Sequence, residues 1–224
     1  GQDKTSPQSL RAMFACLSTF CTFLVHEGVI MSNPIQRIKQ KKQLIATRQT
    51  HRVKRRLSSV QWQAMIRVVR IRAEASQKYE RHLFLLSIFY LLGLRISEVS
   101  SSNTHLNTMS SFCKDRKGLW WFEAHGKGNK IREVAVPDAM LEALTRYRKS
   151  LGLSVLPAVG EVTPLLPKHK GSGGLGQRQV RQEVSEAFEI AMQELRCQGL
   201  VEEADHLKSA TVHWLRHTAI SDDV

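Results

Sequence analysis

From Tyr79 to Leu92 the sequence is apolar on nearly every side of a helix, and Gly93 follows it. A helix without a polar face has to lie inside a core rather than on its surface, and a glycine directly after such a run is a natural stop. The rest of the chain must then supply one-sided elements to surround that helix. Ser58-Ser59-Val60-Gln61 has capping-box spacing, and Trp62, Met65, Ile66 and Val69 form the apolar stripe of a helix behind it. Asp138 to Leu151 is a predicted helix through Met140, Leu144 and Tyr147. Arg178 to Leu195 is another, with Val180, Val184, Ala187, Phe188, Ala191 and Leu195 inward. Leu119 to Glu123 and Ile131 to Val136 read as two strands around the turn His125-Gly126-Lys127-Gly128-Asn129. Residues 152–176, rich in Gly and Pro, read as loop. The prediction is a mainly α fold with a small antiparallel β-sheet (α+β), without internal repeats.

Ahead of this domain, Ser6 can cap a helix with Pro7 in its first turn and Leu10, Phe14, Leu17, Cys21 and Leu24 at helical spacing. Gly28 stops it, and Asn33-Pro34 reads as the start of one further short helix. Two helices make a poor independent core. Residues 1–40 are therefore expected to be the last helices of a helical domain, residues 41–56 a basic linker, and residues 57–224 the main domain. From Arg37 to Arg56 there are nine Lys or Arg and no acid, among them Lys41, Lys42, Arg52, Lys54, Arg55 and Arg56. A run like this can be a merely solubilising tract. Between two folded parts it is better read as a strap along a phosphate backbone.

The whole chain carries 33 Lys and Arg against 20 Asp and Glu, a net charge of +13. Such an excess calls for a polyanionic partner, with nucleic acid first and an anionic membrane surface as the rival. The most apolar run, Leu83 to Leu92, is 10 residues, too short to span a bilayer, and the N-terminus lacks a signal-peptide pattern. Cys16, Cys21, Cys113 and Cys197 show neither C-x-x-C spacing nor a secreted framework. The expectation is a soluble intracellular protein with reduced thiols, no membrane partner and no cysteine zinc site.

Three stretches carry chemistry. Gly93-Leu94-Arg95-Ile96-Ser97-Glu98 puts an arginine at a corner between helices. Gly126-Lys127-Gly128-Asn129-Lys130 puts a lysine at a hairpin tip whose glycines allow close backbone approach to a ligand. Near the C-terminus, His213-Trp214-Leu215-Arg216-His217-Thr218 sets His213 and Arg216 one helical turn apart, a pair able to grip a phosphoryl group. Each stretch alone is weak, and a solvated His/Arg pair on a basic helix is a sufficient account of the last. In this order and setting, G-L-R-I-S-E, G-K-G-N-K and H-x-L-R-H-T resemble the tyrosine recombinase (phage integrase) family, over nearly the whole chain. The resemblance implies the fold of that family's catalytic domain, preceded by the last helices of its core-binding domain.

It further implies a site-specific recombinase that breaks and rejoins double-stranded DNA through a 3′-phosphotyrosyl intermediate, with no metal and no cofactor, cytoplasmic and DNA-associated, of prokaryotic, mobile-element type, assembled as a tetramer on DNA. Arg95, Arg216 and His213 would hold the scissile phosphate, and Lys127, or alternatively Lys130, would protonate the leaving 5′ oxygen. Glu98 and His217 would support the site, with Lys130 and Arg178 among the DNA contacts. Preorganised cations suit a phosphorane that gathers negative charge, and lysine can surrender a proton where guanidinium cannot. The departure is the nucleophile. Family members carry a tyrosine beyond the H-x-x-R box, whereas Tyr79, Tyr90 and Tyr147 all precede it. The expectation is a catalytic domain cut short of its nucleophile and inactive by itself. A type IB topoisomerase and a non-catalytic DNA-binding module of the same fold are the alternatives. Gly171-Ser172-Gly173-Gly174-Leu175-Gly176 matches a dinucleotide fingerprint but follows no core strand, and is read as a flexible loop. Trp120 and Trp121 are adjacent on a strand and must face opposite ways, so one is expected in the core.

Overall fold

The predicted central helix is present as a 15-residue element, Gln77–Leu91. The computed structural model describes residues 6–38, 55–126 and 130–222. Contacts divide the chain into two units, Gly1–Lys54 and Arg55–Val224.

In the first unit, α1 (Pro7–His26) starts at Ser6, whose hydroxyl accepts the Ser9 N–H at 3.1 Å. None of its residues is buried, and Met13, Phe20 and Phe23 are exposed. The helix expected after Asn33-Pro34 is instead a turn over 34–37. Asn33 Oδ1 accepts the Ile35 N–H at 3.0 Å, as a cap would, while its side-chain amide donates to the Ser18 carbonyl at 2.8 Å and to Thr22 Oγ1 at 2.9 Å, tying the segment back on α1. Among the described residues α1 is long and apolar enough, by length and composition only, to cross a membrane, with 20 residues and a mean hydropathy of 1.3. The ten-residue limit set by Leu83 to Leu92 therefore does not hold for the chain. Scattered Ser, Thr and Cys interrupt every apolar run in α1 without lowering its average much.

The second unit holds α2 (Ser59–Ala75), α3 (Gln77–Leu91), α4 (Ile96–Val99), a 3-10 turn Met109–Ser111, β1 (Phe112–Lys114), β2 (Trp120–His125), β3 (Ile131–Ala135), α5 (Asp138–Ser150), α6 (Gln177–Cys197), α7 (Val201–Leu207) and α8 (Val212–Asp222). The capping box at Ser58 and Gln61 forms as expected. Helix α3 packs against α2, α5, α6 and α8. Leu85, Leu86, Ile88 and Phe89 are wholly buried there, each contributing about 1.5–3 kcal/mol by removal from water. The six inward positions predicted for α6 are all buried. Between α3 and α6 the buried Arg81 and Glu183 pair at 3.4 Å.

The sheet is antiparallel in the order β1-β2-β3, so a third strand, too short to announce itself, joins the predicted pair. Its register places Ala124 opposite Arg132 and His125 opposite Ile131. Phe122 and Ala124 face the core, Trp120 packs against it half-buried, and the Trp121 indole donates to Asp115 Oδ2 at 3.1 Å. The glycine-rich stretch is a hydrogen-bonded turn rather than a flexible loop. Pro167 and Gly174 form an antiparallel bridge, and the Leu175 N–H donates to the Leu166 carbonyl at 2.8 Å. Gly174 lies so close to Ser101 that a Cβ there would collide with the serine side chain, which accounts for a glycine without invoking a nucleotide.

Candidate functional site

The end of α3 builds the first part of the site. Leu92 closes the helix, and Gly93 takes a left-handed φ of 54° that an L side chain rarely adopts. The chain reverses there and enters α4 with Arg95 at its N-cap. Glu98, three residues on, reaches back: its Oε2 accepts the Arg95 backbone N–H at 2.6 Å, and its Oε1 accepts Arg95 Nη1 at 3.0 Å. Glu98 is fully buried, whereas the Arg95 side chain is 56% exposed. The carboxylate thus anchors an arginine whose outer face stays open.

A second arginine, which the sequence pattern does not single out, shares that carboxylate. Arg132 on β3 donates from Nε to Glu98 Oε1 at 3.2 Å and from Nη2 to Oε2 at 2.8 Å. Burial pushes the Glu98 carboxyl up, but hydrogen bonds from Arg132 and Arg95 outweigh it and hold the group below the usual carboxylate range. Glu98 is ionised at neutral pH.

Arg216 arrives from α8. Its Nη1 donates to the Gly93 carbonyl, so the end of α3 fixes it directly. Burial and the neighbouring Arg95 guanidinium lower its pKa from the ordinary arginine value, with Glu98 pulling the other way and Arg132 adding to the depression. Two guanidinium groups therefore bond one buried carboxylate while a third, Arg216, lies within their electrostatic reach, leaving a local excess of positive charge. Such a cluster favours an anion, and phosphate matches guanidinium geometry well.

His213 stands one turn before Arg216 on α8 and is exposed, with the buried Trp214 and Leu215 between them fixing that face of the helix outward. His217 is also exposed. Thr218 is buried: its Oγ1 donates to the Trp214 carbonyl at 2.7 Å and accepts the Leu57 N–H at 2.9 Å. The H-x-x-R-H-T stretch therefore ends in a structural residue.

The hairpin base lies against the same corner. The Gly126 N–H donates to the Lys130 carbonyl at 2.8 Å, and a Cβ on Gly126 would come within 3.9 Å of Glu98 Oε1. Lys130 is exposed there, while Lys127 lies outside the described residues. Sequence reasoning also passes over His125 at the end of β2, whose ring sits 4.6 Å from that of His105, itself bonded to Asn107 Oδ1 at 3.0 Å. Arg178 is exposed in the first turn of α6. The Ser101 N–H donates to the Leu175 carbonyl at 2.8 Å, which brings the start of that helix beside the segment following α4. Arg55 and Arg56 are exposed, and Lys41, Lys42, Arg52 and Lys54 lie outside the described residues.

The three tyrosines have surroundings of their own. Tyr147 is buried on α5 and its hydroxyl is pushed up to about 12 by burial. Tyr90 stacks on Trp62 with ring centroids 3.9 Å apart. Tyr79 carries the Arg72 guanidinium 5.6 Å above its ring.

No family model matches the chain. Among curated proteins it is similar to the tyrosine recombinase XerC of Bacillus subtilis (strain 168), 26% identical over 213 residues. That alignment covers 95% of this chain and 60% of the relative, so the chain spans about three-fifths of the relative's length. Among solved structures it resembles the Tn1549 transposon integrase in complex with circular-intermediate DNA, with a TM-score of 0.61 and 16% identity, over 99% of this chain and 67% of that one. The XerH site-specific recombinase bound to its difH substrate gives a TM-score of 0.50 and 19% identity over 75% of this chain and 42% of that one. XerA recombinase gives 0.50 and 16% over 100% and 70%.

Proposed function

We propose, on the premise that this chain belongs to the tyrosine recombinase (phage integrase) family, that it supplies the phosphate-gripping part of a DNA strand-exchange site. The observation that carries this reading is the meeting of Arg95 and Arg216 at one helix end. Arg216 is held by the Gly93 carbonyl and Arg95 by Glu98, so both guanidinium groups are set before any ligand arrives. In the proposed reaction they bind the non-bridging oxygens of the scissile phosphate, and His213 donates a third hydrogen bond. A tyrosine hydroxyl attacks phosphorus, the P–O5′ bond breaks, and Lys127 (Lys130 in the alternative) gives its proton to the departing 5′ oxygen. A 3′-phosphotyrosyl ester holds the strand until a second 5′ hydroxyl attacks and releases the tyrosine.

Preorganised donors aimed at the developing charge act as an oxyanion site for phosphorus. We assign the nucleophile to none of Tyr79, Tyr90 and Tyr147, since the family's tyrosine follows the H-x-x-R box and all three precede it. The chain by itself then binds duplex DNA without joining to it covalently. Recombination between two sites is proposed to use four copies on DNA in the cytoplasm.

The test needs the full reading frame that contains these residues, and a duplex enriched by its binding from a randomised pool. On a nicked version of that duplex, the full protein should form a covalent complex visible on a denaturing gel, and the 224-residue chain should form none. Arg95→Ala or Arg216→Ala should slow formation by roughly 10²–10³, the scale set by removing one charge-stabilising donor, with far smaller loss of binding. Full-rate cleavage by either variant would remove the arginine pair from the reaction.

A further inference from the structure

The three cations of the arginine cluster are not equivalent. Arg95 and Arg216 are tied to the α3–α4 corner, through the Glu98 carboxylate and the Gly93 carbonyl. Arg132 belongs to a different element, β3, and crosses to the same carboxylate with a two-bond fork. Glu98 therefore accepts four N–H groups, two from Arg95 and two from Arg132. Arg132 pairs across the sheet with Ala124, and one step further along the ladder His125 faces Ile131. The hairpin tip begins immediately beyond, at Gly126, and Gly126 also lies over Glu98.

An ion pair in which Arg132 is 41% exposed adds little net stability. A planar fork onto a fixed, buried carboxylate does something else: it sets the direction and distance of the strand that carries it. With Arg132 gone, β3 would keep its ladder to β2, and β2 its packing on α4, but the hairpin would lose its ion-paired tie to the Glu98 carboxylate. Arg95 would keep the two bonds to Glu98 that it already has.

We propose that Arg132 is a positioning residue. Its fork onto Glu98 fixes the hairpin base against the Arg95 corner, and so sets where the hairpin lysine meets the leaving oxygen. This rests on the strand-exchange reading above. It predicts a loss of a particular kind, in leaving-group protonation rather than in phosphate binding, because the phosphate contacts assigned to Arg95 and Arg216 are anchored independently of β3. Misplacement by about 1 Å is enough to cost on the order of 10²-fold in rate.

The experiment compares two nicked duplexes in the full protein, one with the ordinary 5′ oxygen at the scissile bond and one with 5′ sulfur, a leaving group that needs no proton. Arg132→Met should slow cleavage of the oxygen substrate roughly tenfold to a hundredfold, and the sulfur substrate should restore most of that loss. Arg132→Lys, which keeps the charge but loses the fork, should fall between. Lys127→Ala and Lys130→Ala run alongside, and the sulfur substrate should rescue one of them. Rescue of a lysine variant but not of Arg132→Met would overturn the positioning role alone. Rescue of neither lysine would overturn the lysine assignment and this inference with it.

An independent readout needs no catalysis. In the 224-residue chain, Arg132→Met should speed hydrogen exchange at the Gly126 amide while amides within α3 keep their protection. Unchanged exchange at Gly126, or equal loosening throughout, would equally overturn the proposal.

Discussion

The Thr218 hydroxyl accepts the backbone N–H of Leu57, so the last helix of the second unit holds down the first turn of the same unit across 161 positions of sequence. Thr218→Val keeps the shape and removes the acceptor, leaving a buried N–H unpaired. That should cost about 1–3 kcal/mol, read as a lower denaturant midpoint with an unchanged slope. An unchanged midpoint would mean that water replaces the hydroxyl.

Glu98 predicts an acid sensitivity of definite sign. Its folded-state pKa is depressed, so the stability it contributes is complete above the unfolded carboxylate value and disappears as pH falls through the depressed one. Glu98→Gln should be less stable than the parent at pH 7, by roughly 1–3 kcal/mol, and the gap should close as pH falls through and below the usual carboxylate range. Urea midpoints taken across that window decide it. Parallel curves for the two proteins would show that the ion pairs with Arg95 and Arg132 contribute nothing to folding.

Tyr147 leads to the opposite expectation. Its hydroxyl is buried beside Arg81 and makes no well-formed hydrogen bond among the described residues, while its ring stacks on Phe84 with centroids 4.4 Å apart. Tyr147→Phe should therefore be neutral or stabilising, since it removes an uncompensated polar group and keeps the stack. A melting temperature several degrees lower would reveal a partner for the hydroxyl.

The basic tract is tested by salt. If residues 37–56 follow a DNA backbone, replacing Lys54, Arg55 and Arg56 by Ala should flatten the log–log dependence of duplex affinity on salt by about 0.9 for each phosphate that is no longer neutralised. Fluorescence anisotropy with a duplex of arbitrary sequence is sufficient. An identical slope in the triple variant would make the tract a solubilising one.

Much of this architecture is legible in the sequence because it is written locally. Apolarity over Leu83–Phe89, broken at Ser87 alone, gives α3 its place, stripes repeating every three or four residues give α2, α5 and α6, and Gly-rich spacing between alternating segments gives the β2–β3 hairpin. What escapes is short or long-range. Phe112–Lys114 is three residues, too few to alternate, and Val201–Leu207 has only Ala204 and Leu207 buried. In the site, Glu98 can be linked with Arg95 because the two are one turn apart. Arg132 cannot, since its partner lies 34 residues away and a charged residue on a half-exposed strand looks like any solvated side chain. The turn at 34–37 reads as a helix because Asn-Pro suits both: Asn33 accepts the Ile35 N–H over a single turn just as it would at the start of a helix.

The ladder register also separates two jobs within one hairpin. The pairs from Trp121–Ala135 to His125–Ile131 set the strands' alignment, and the Arg132 fork lies inside that paired region, below the tip. The mount and what it carries are thereby distinct: the paired strands and the Arg132 fork all lie on the core side of the hydrogen bond between the Gly126 N–H and the Lys130 carbonyl.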